Sequence, residues 1–399
     1  MVSLKTTFLA SVAITLLGGG VVASAADKEI ITTIVSSFGN EYWNDWVKGG
    51  KAAADQIGAE LRALSTENDA NKHLEIYETQ LESGVKVLYG PAQSPGNIPR
   101  VASLAKEHKA TYLGAWDSLP WFHPLDNGAD DYSYVGYVAP DGGDAAYIVA
   151  KALFEKMGGK GNVVHIQGFP GSLPEIYRTR GMDKALAEYP NIKLIARQPG
   201  EWDQARGRQV MEDWIVAYPK IDAVFAQNDS LGVGAMLALE DAGIKGIPII
   251  GFDGTNEVLQ LIKEGRFFAT ANFHPAWMGG AMAVRAWDVA HGWKPTVCER
   301  MMFTGAQLVT KENVDTVINF LAGDKPPFDY RLMSRVLHPD DWDPQNRIWS
   351  ADADYAWGSE EKPDGYKGLP AEYVKARDGG ECQKIDAMYA DHYKKKLPE

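Results

Sequence analysis

Cysteine is scarce. The 399 residues hold only Cys298 and Cys382, so the chain can close at most one internal bridge. In an oxidising compartment an even pair is a candidate disulfide; the alternative is two unpaired thiols. Such a bridge would close a long loop and contribute ~4–5 kcal/mol in the chain-entropy account. Basic residues are outnumbered: 40 Lys and Arg stand against 53 Asp and Glu, a net charge of −13. That sign argues against nucleic acid, because phosphate contacts need a basic face, and against an anionic membrane surface. Beyond the N-terminus no run is apolar enough to span a bilayer. Enzyme signatures are missing as well. No phosphate loop with Lys-Ser/Thr, no Gly-x-Ser-x-Gly elbow and no His-Glu-x-x-His pair occurs, and the eight His are scattered.

Two near-matches fail on detail. Gly232 and Gly234 follow a strand and Asp253 lies some distance on, as in a dinucleotide fingerprint, but Leu237 stands where a third small residue is needed. Asp341, Asp343 and Gln345 alternate like a calcium loop, without its turn glycine or closing Glu. Neither a cofactor nor a metal is expected.

What is present is a globular composition, 45% apolar and 23% charged, at a length that suits two domains. Twelve Trp is a heavy load, and flat rings suit ligands. Residues 1–25 read as a cleaved export signal: Lys5, an apolar stretch over 8–17, then Ala23-Ser24-Ala25. A soluble, exported mature chain follows. From about 29 to 320 strand and helix patterns alternate: strands near 30–35, 85–89, 111–115, 162–166, 192–196, 221–225 and 247–252, with amphipathic helices between them. The helix over 230–242 has Asp229 as its candidate cap. Two such series mean two α/β domains with parallel sheets. Residues 322–399 have few aliphatics and three Trp, too little to fold alone, and are expected to wrap over the body.

Open α/β sheets bind ligands at the carboxyl ends of their strands. The runs found there are aromatic and polar: Ser36 to Trp43, Trp116-Asp117, Gln167 to Arg178, Gln198 to Trp202, Gln227 to Asp229 and Phe252 to Gly254. A core explains strand interiors, not this set.

These segments resemble the periplasmic sugar-binding proteins of ABC importers, of the ribose-binding type. The likeness is carried in order by Asn40, Tyr42 and Trp43, by Arg178, by Trp202 and Asp203, by Asn228 and Asp229, and by Phe252, Asp253 and Gly254. It covers about 29–314 and leaves the tail without a counterpart. The resemblance implies two Rossmann-like lobes joined by a three-segment hinge: 26–138 with 275–303, and 139–274 with 304–321, plus an extension over 322–399. It implies ligand contacts from Ser36, Asn40, Tyr42, Trp43 and Asp117 in the first lobe, and from Arg178, Trp202, Asn228, Phe252, Asp253 and Phe273 in the second. Gly90, Ser118 and Asn272 stand where the family often has Asn, Arg and Gln, which bears on which sugar is bound.

Plainer readings exist for several of these. Trp43 shares helical spacing with Trp46, Asp253 is a turn former before Gly254, and Arg178 could pair with Glu175. Arg180 reads as structural and His274 as a hinge or packing residue. The expectation is a periplasmic, monomeric solute-binding protein. It takes a sugar or polyol, has no catalytic step, and delivers to an inner-membrane ABC permease. A sensor handing the bound state to a membrane receptor would use the same cleft, and a sugar-processing enzyme is the remaining alternative. A sugar-sensing gene regulator is opposed by the export signal, the acidic charge and the lack of a helix-turn-helix.

Overall fold

The computed structural model describes residues 28–92, 94–119, 121–126, 131, 133–357 and 368–398; the expected export signal over 1–25 lies outside them. The chain opens with β1 (Ile30–Val35), α1 (Glu41–Ile57), β2 (Glu60–Ser65), α2 (Ala70–Glu82), β3 (Val87–Pro91), α3 (Ile98–Glu107), β4 (Thr111–Ala115) and β5 (Tyr134–Pro140). A second series follows: α4 (Gly142–Lys156), β6 (Lys160–Gln167), α5 (Leu173–Glu188), β7 (Asn191–Pro199), α6 (Gln204–Ala217), β8 (Ala223–Ala226), α7 (Asp229–Asp241), β9 (Ile249–Asp253), α8 (Asn256–Glu264) and β10 (Ala269–Asn272). The chain then returns through α9 (Pro275–Ala290) and β11 (Met301–Thr304), crosses again to β12 (Gln307–Val309) and α10 (Val314–Leu321), and ends with β13 (Ile348–Ser350), α11 (Ala353–Trp357), α12 (Ala371–Asp378) and α13 (Glu381–His392).

These elements make two lobes. One sheet has the order β13-β11-β5-β4-β3-β1-β2 and the other β12-β10-β9-β8-β6-β7. The central strands of both are parallel, because helical crossovers join them. Both sheets reverse direction of growth at one point, between β1 and β3 and between β6 and β8, and such a switch point opens a crevice at the strands' carboxyl ends. Antiparallel β13 and β12 finish the respective edges. Three segments cross between the lobes: 140–142, 272–275 and 304–307.

The first lobe is held by a helix pair that only glycine permits. A Cβ on Gly49 of α1 would lie 1.8 Å from the Ala276 carbonyl oxygen, and one on Gly279 of α9 2.0 Å from that of Trp46. The close approach buries Trp46, whose Nε1 donates to Thr33 Oγ1 at 3.0 Å. The second lobe centres on an aliphatic core including Val164, Ile166, Met211, Leu231 and Ile262.

The tail packs on the first lobe. β13 pairs with β11, Trp342 is buried, and Cys298 and Cys382 are bonded with Cα atoms 5.1 Å apart. Of the tail's aromatic rings, Trp342 packs on Tyr389 and stacks on His392. The side chain of Trp357 lies outside the described residues. Among the described residues no helix is long and apolar enough to cross a membrane.

Several local expectations shift. The cap of α7 is Asn228, whose Oδ1 accepts from Leu231 N at 2.9 Å; the helix starts one residue early and takes Asp229 into its first turn. Asp229 instead points inward, accepting from Thr255 N and Oγ1 and from Thr270 Oγ1 at 2.9, 3.1 and 2.7 Å. The strand read at 85–89 lies at Val87–Pro91, since Val85 still bonds to the end of α2 through the Gln80 carbonyl.

Candidate functional site

A cleft of about 480 Å³ lies between the lobes at the carboxyl ends of both sheets. Nine of the expected contacts line it: Ser36, Asn40, Tyr42, Trp43, Asp117, Arg178, Trp202, Asn228 and Asp253. Phe252 and Phe273 do not. Both are fully buried behind Arg178, so they back the guanidinium and do not face the cleft.

Arg178 is the centre of the site. It projects from α5 with only 3% exposure. Its guanidinium lies 4.8 Å from the Phe252 ring centre, 5.0 Å from Phe273, 5.2 Å from Trp202 and 5.6 Å from Trp116. Aromatic faces attract a cation that has lost its water. Its Nη1 donates to the Gln227 carbonyl, and Nη2 stands 4.0 Å from Asp253 Oδ1. Glu175 is not its partner; that carboxylate accepts from Gln167 and Thr179. Burial pulls the guanidinium below its ordinary range, while Asp253 holds it up. Burial pushes Asp253 well above the usual carboxylate range, Arg178 opposes the rise, and Asp229 adds to it.

Backbone geometry aims the aromatics. Glu201 and Trp202 both adopt left-handed φ, 58° and 61°, which no glycine relieves. That turn lays the indole against Gly168, where a Cβ would sit 1.8 Å from the Trp202 ring. Trp116 is also left-handed, at 65°, and its carbonyl accepts from Tyr137 Oη at 3.2 Å. Tyr42 meets Trp43 and Trp116 edge to face at 4.9 and 5.5 Å.

Polar groups are partly spent on structure. Asn40 Oδ1 caps α1 by accepting from Tyr42 N at 2.9 Å. Asn228 Nδ2 donates to the Trp202 carbonyl at 3.4 Å. Asp117 Oδ1 accepts from Leu173 N, across the cleft, at 3.0 Å; burial raises its carboxyl to about 7 against the pull of that N–H. At the rim, Glu41 accepts from the backbone N–H groups of Asn256 and Glu257 at 3.1 and 3.3 Å, again from one lobe to the other. Among the described residues Arg178 Nε is a buried cleft-lining polar atom that reaches no partner, while the Trp116 indole N–H and the Tyr42 hydroxyl are buried side by side and interact with each other. Arg178 Nε is an obligate donor, and an acceptor on a ligand would satisfy it.

Strand-end reasoning includes Trp116, Phe169 and Ser172, which line the cleft. It misses Asn68 and Ser94, also in the lining, which follow β2 and β3. Gly90 has a physical reason: its φ is 146° and a Cβ would sit 2.4 Å from the Ile34 carbonyl oxygen, so no side chain fits there. Among the described residues no cluster of three His, Cys, Asp or Glu could hold a metal.

Two parallel-sheet lobes closing on an aromatic-walled cleft define a ligand-capturing protein of the two-lobed α/β class. Residues 31–294 match the periplasmic binding protein domain, and the chain belongs to that family. It is 32% identical over 260 residues to the xylitol-binding protein of Mycolicibacterium smegmatis, covering 65% of this chain and 71% of the relative. It is 30% identical over 257 residues to the ribose import binding protein of Salmonella typhimurium, covering 64% and 82%. Among solved structures, a twin-arginine translocation pathway signal protein from Burkholderia phytofirmans aligns with a TM-score of 0.69 and 29% identity, over 75% of this chain and 94% of that one.

Proposed function

We propose that this chain captures a sugar or sugar alcohol between its lobes and hands it to an ABC permease in the inner membrane. The observation that carries the reading is the Arg178 centre: a buried guanidinium faced by four aromatic rings, beside Asp253, with its Nε unpartnered among the described residues. Ring faces match the apolar C–H faces of a sugar, and the carboxylates and donors match its hydroxyl rim. Relatives named for xylitol and ribose support the class.

The ligand contacts proposed are Ser36, Asn40, Tyr42, Trp43, Asp117, Arg178, Trp202, Asn228 and Asp253. The rigid units are 26–138 with 275–303 and 139–274 with 304–321, turning about the three crossings. Open and closed forms interconvert, and a ligand touching both lobes favours the closed one. No catalytic step is involved. The protein acts as an exported, soluble monomer after loss of residues 1–25. Mass spectrometry of ligand released from purified protein, with a thermal-shift panel of pentoses, hexoses and polyols, tests this. No shift across the panel would sink the sugar reading.

A further inference from the structure

Residues beyond 321 have no place in the matched family domain, which ends at 294, and none of the described ones lines the cleft. They are anchored to the first lobe by the Cys298–Cys382 bond and by β13 on the edge of β11, and within the extension Ser350 donates to Asp386 through N and Oγ at 2.7 and 2.6 Å, tying β13 to α13. From that anchorage the extension reaches the first and third crossings between the lobes and the start of α9 just past the second.

At the first crossing Tyr355 Oη lies 3.4 Å from Asp141 Oδ1, and a Cβ on Gly143 would meet that hydroxyl at 2.5 Å. Just past the second, at the start of α9, Tyr330 Oη donates to the Ala276 carbonyl at 2.8 Å, and Trp277 Nε1 donates to the Pro344 carbonyl at 2.7 Å. At the third, Gly305 N donates to the Arg347 carbonyl at 3.0 Å and Arg347 Nη2 to the Ala306 carbonyl at 3.4 Å. One step further, Gln307 on β12 of the second sheet donates to the Pro398 carbonyl.

We infer that the C-terminal extension is a brace that sets the lobe angle by gripping the first and third crossings and the start of α9 just past the second. This rests on the reading of the crossings as a hinge. Rotation about crossing segments is absorbed by φ/ψ changes in a few residues. Here the Asp141 side chain at the first crossing, the backbone of Gly305 and Ala306 at the third, and Ala276 and Trp277 just past the second are bonded to a segment fastened covalently to one lobe. The brace therefore narrows the range of angles sampled without ligand, and it acts from outside the cleft.

The test is single-molecule energy transfer on the full chain, with one dye on each lobe. The double variant Arg347→Ala/Tyr355→Phe removes the side-chain grips on the third and first crossings while leaving cleft, disulfide, β13 and the Gly305–Arg347 backbone bond in place. Its ligand-free distance distribution should be broader than wild type by a factor of about two. Reduction of the Cys298–Cys382 bond in the wild-type chain should broaden it in the same sense, which keeps the test open if the variant folds poorly. Equal widths in variant, reduced and wild-type protein overturn the brace. Adding D-ribose and xylitol to wild type reads the hinge separately. A distance that shortens alongside unchanged ligand-free widths refutes the brace alone, and a distance unmoved by the whole sugar panel refutes the binding reading.

Discussion

Asp117, at the end of a first-lobe strand, accepts a hydrogen bond at 3.0 Å from the backbone N–H of Leu173, the first residue of a second-lobe helix. The same device recurs at the rim, where Glu41 takes the first two N–H groups of α8. In each case a first-lobe carboxylate sits on the positive end of a second-lobe helix. Each contact ties the first lobe to the second in this structure.

Asp117 makes closure sensitive to pH. Its carboxyl is raised to about 7 by burial, above the value near 4 of an exposed Asp. A raised carboxyl binds protons that the unfolded chain has released, so its contribution falls as pH rises from about 4 to 7. Between roughly pH 5.5 and 8, ligand-saturated wild type should lose about 2 kcal/mol relative to Asp117→Asn. Urea unfolding of both proteins at the two pH values reads the difference directly. Parallel pH profiles would show that Asp117 is not the group responsible.

Arg178→Lys should cost about a hundredfold in ligand affinity. A point-charge ammonium cannot reach the Gln227 carbonyl and Asp253 together or stack between flat rings. Calorimetric titration checks this, with unfolding curves to confirm that the variant is folded.

Gly168→Ala should displace the Trp202 ring, because the new methyl would occupy the indole's place. Loss of ligand-induced Trp fluorescence change, with little change in melting, is the expected pattern. Retained affinity would mean that Trp202 does not touch the ligand.

Glu41→Ala should raise the ligand dissociation rate about two- to fivefold, the range of a carboxylate at a helix N-terminus. Stopped-flow release is the measurement. The association rate should change less, since the contact forms after encounter.

Replacing both Cys298 and Cys382 by Ser should lower stability by about 4–5 kcal/mol, given the 84-residue separation they close. Equilibrium urea curves of the oxidised and Ser-substituted chains provide the comparison.

The alternating strands and helices were legible because buried parallel strands are apolar runs and their helices are amphipathic. Glu60–Ser65 was not, since β2 is an edge strand, largely half-buried, with Glu60 and Arg62 along it. Missing it hid Asn68. The site was legible as strand-end positions, which is why nine expected contacts share one cleft. Orientation was not legible. Phe252 and Asp253 are adjacent in a strand, so their side chains point to opposite faces, and only Asp253 faces the cleft. The shift of the α7 cap from Asp229 to Asn228 is the same kind of difference, one residue of helix phase. The tail's grip on the crossings and on the start of α9 depends on carbonyl and indole partners far apart in the chain, such as Trp277 with Pro344, and no local pattern encodes that pairing.

The route of the chain orders its assembly. The second sheet takes all its strands from 160–309, while the first begins at residue 30 and receives its last strand only at 348–350, with its covalent tie at Cys382. A chain emerging N-terminus first can complete the second lobe while the first still lacks an edge. Any truncation before β13 leaves that lobe with β11 unpaired on one side, an open invitation to pair with another chain. The lobe started first is finished last, so aggregation in refolding should be governed by the final fifty or so residues more than by either sheet's interior.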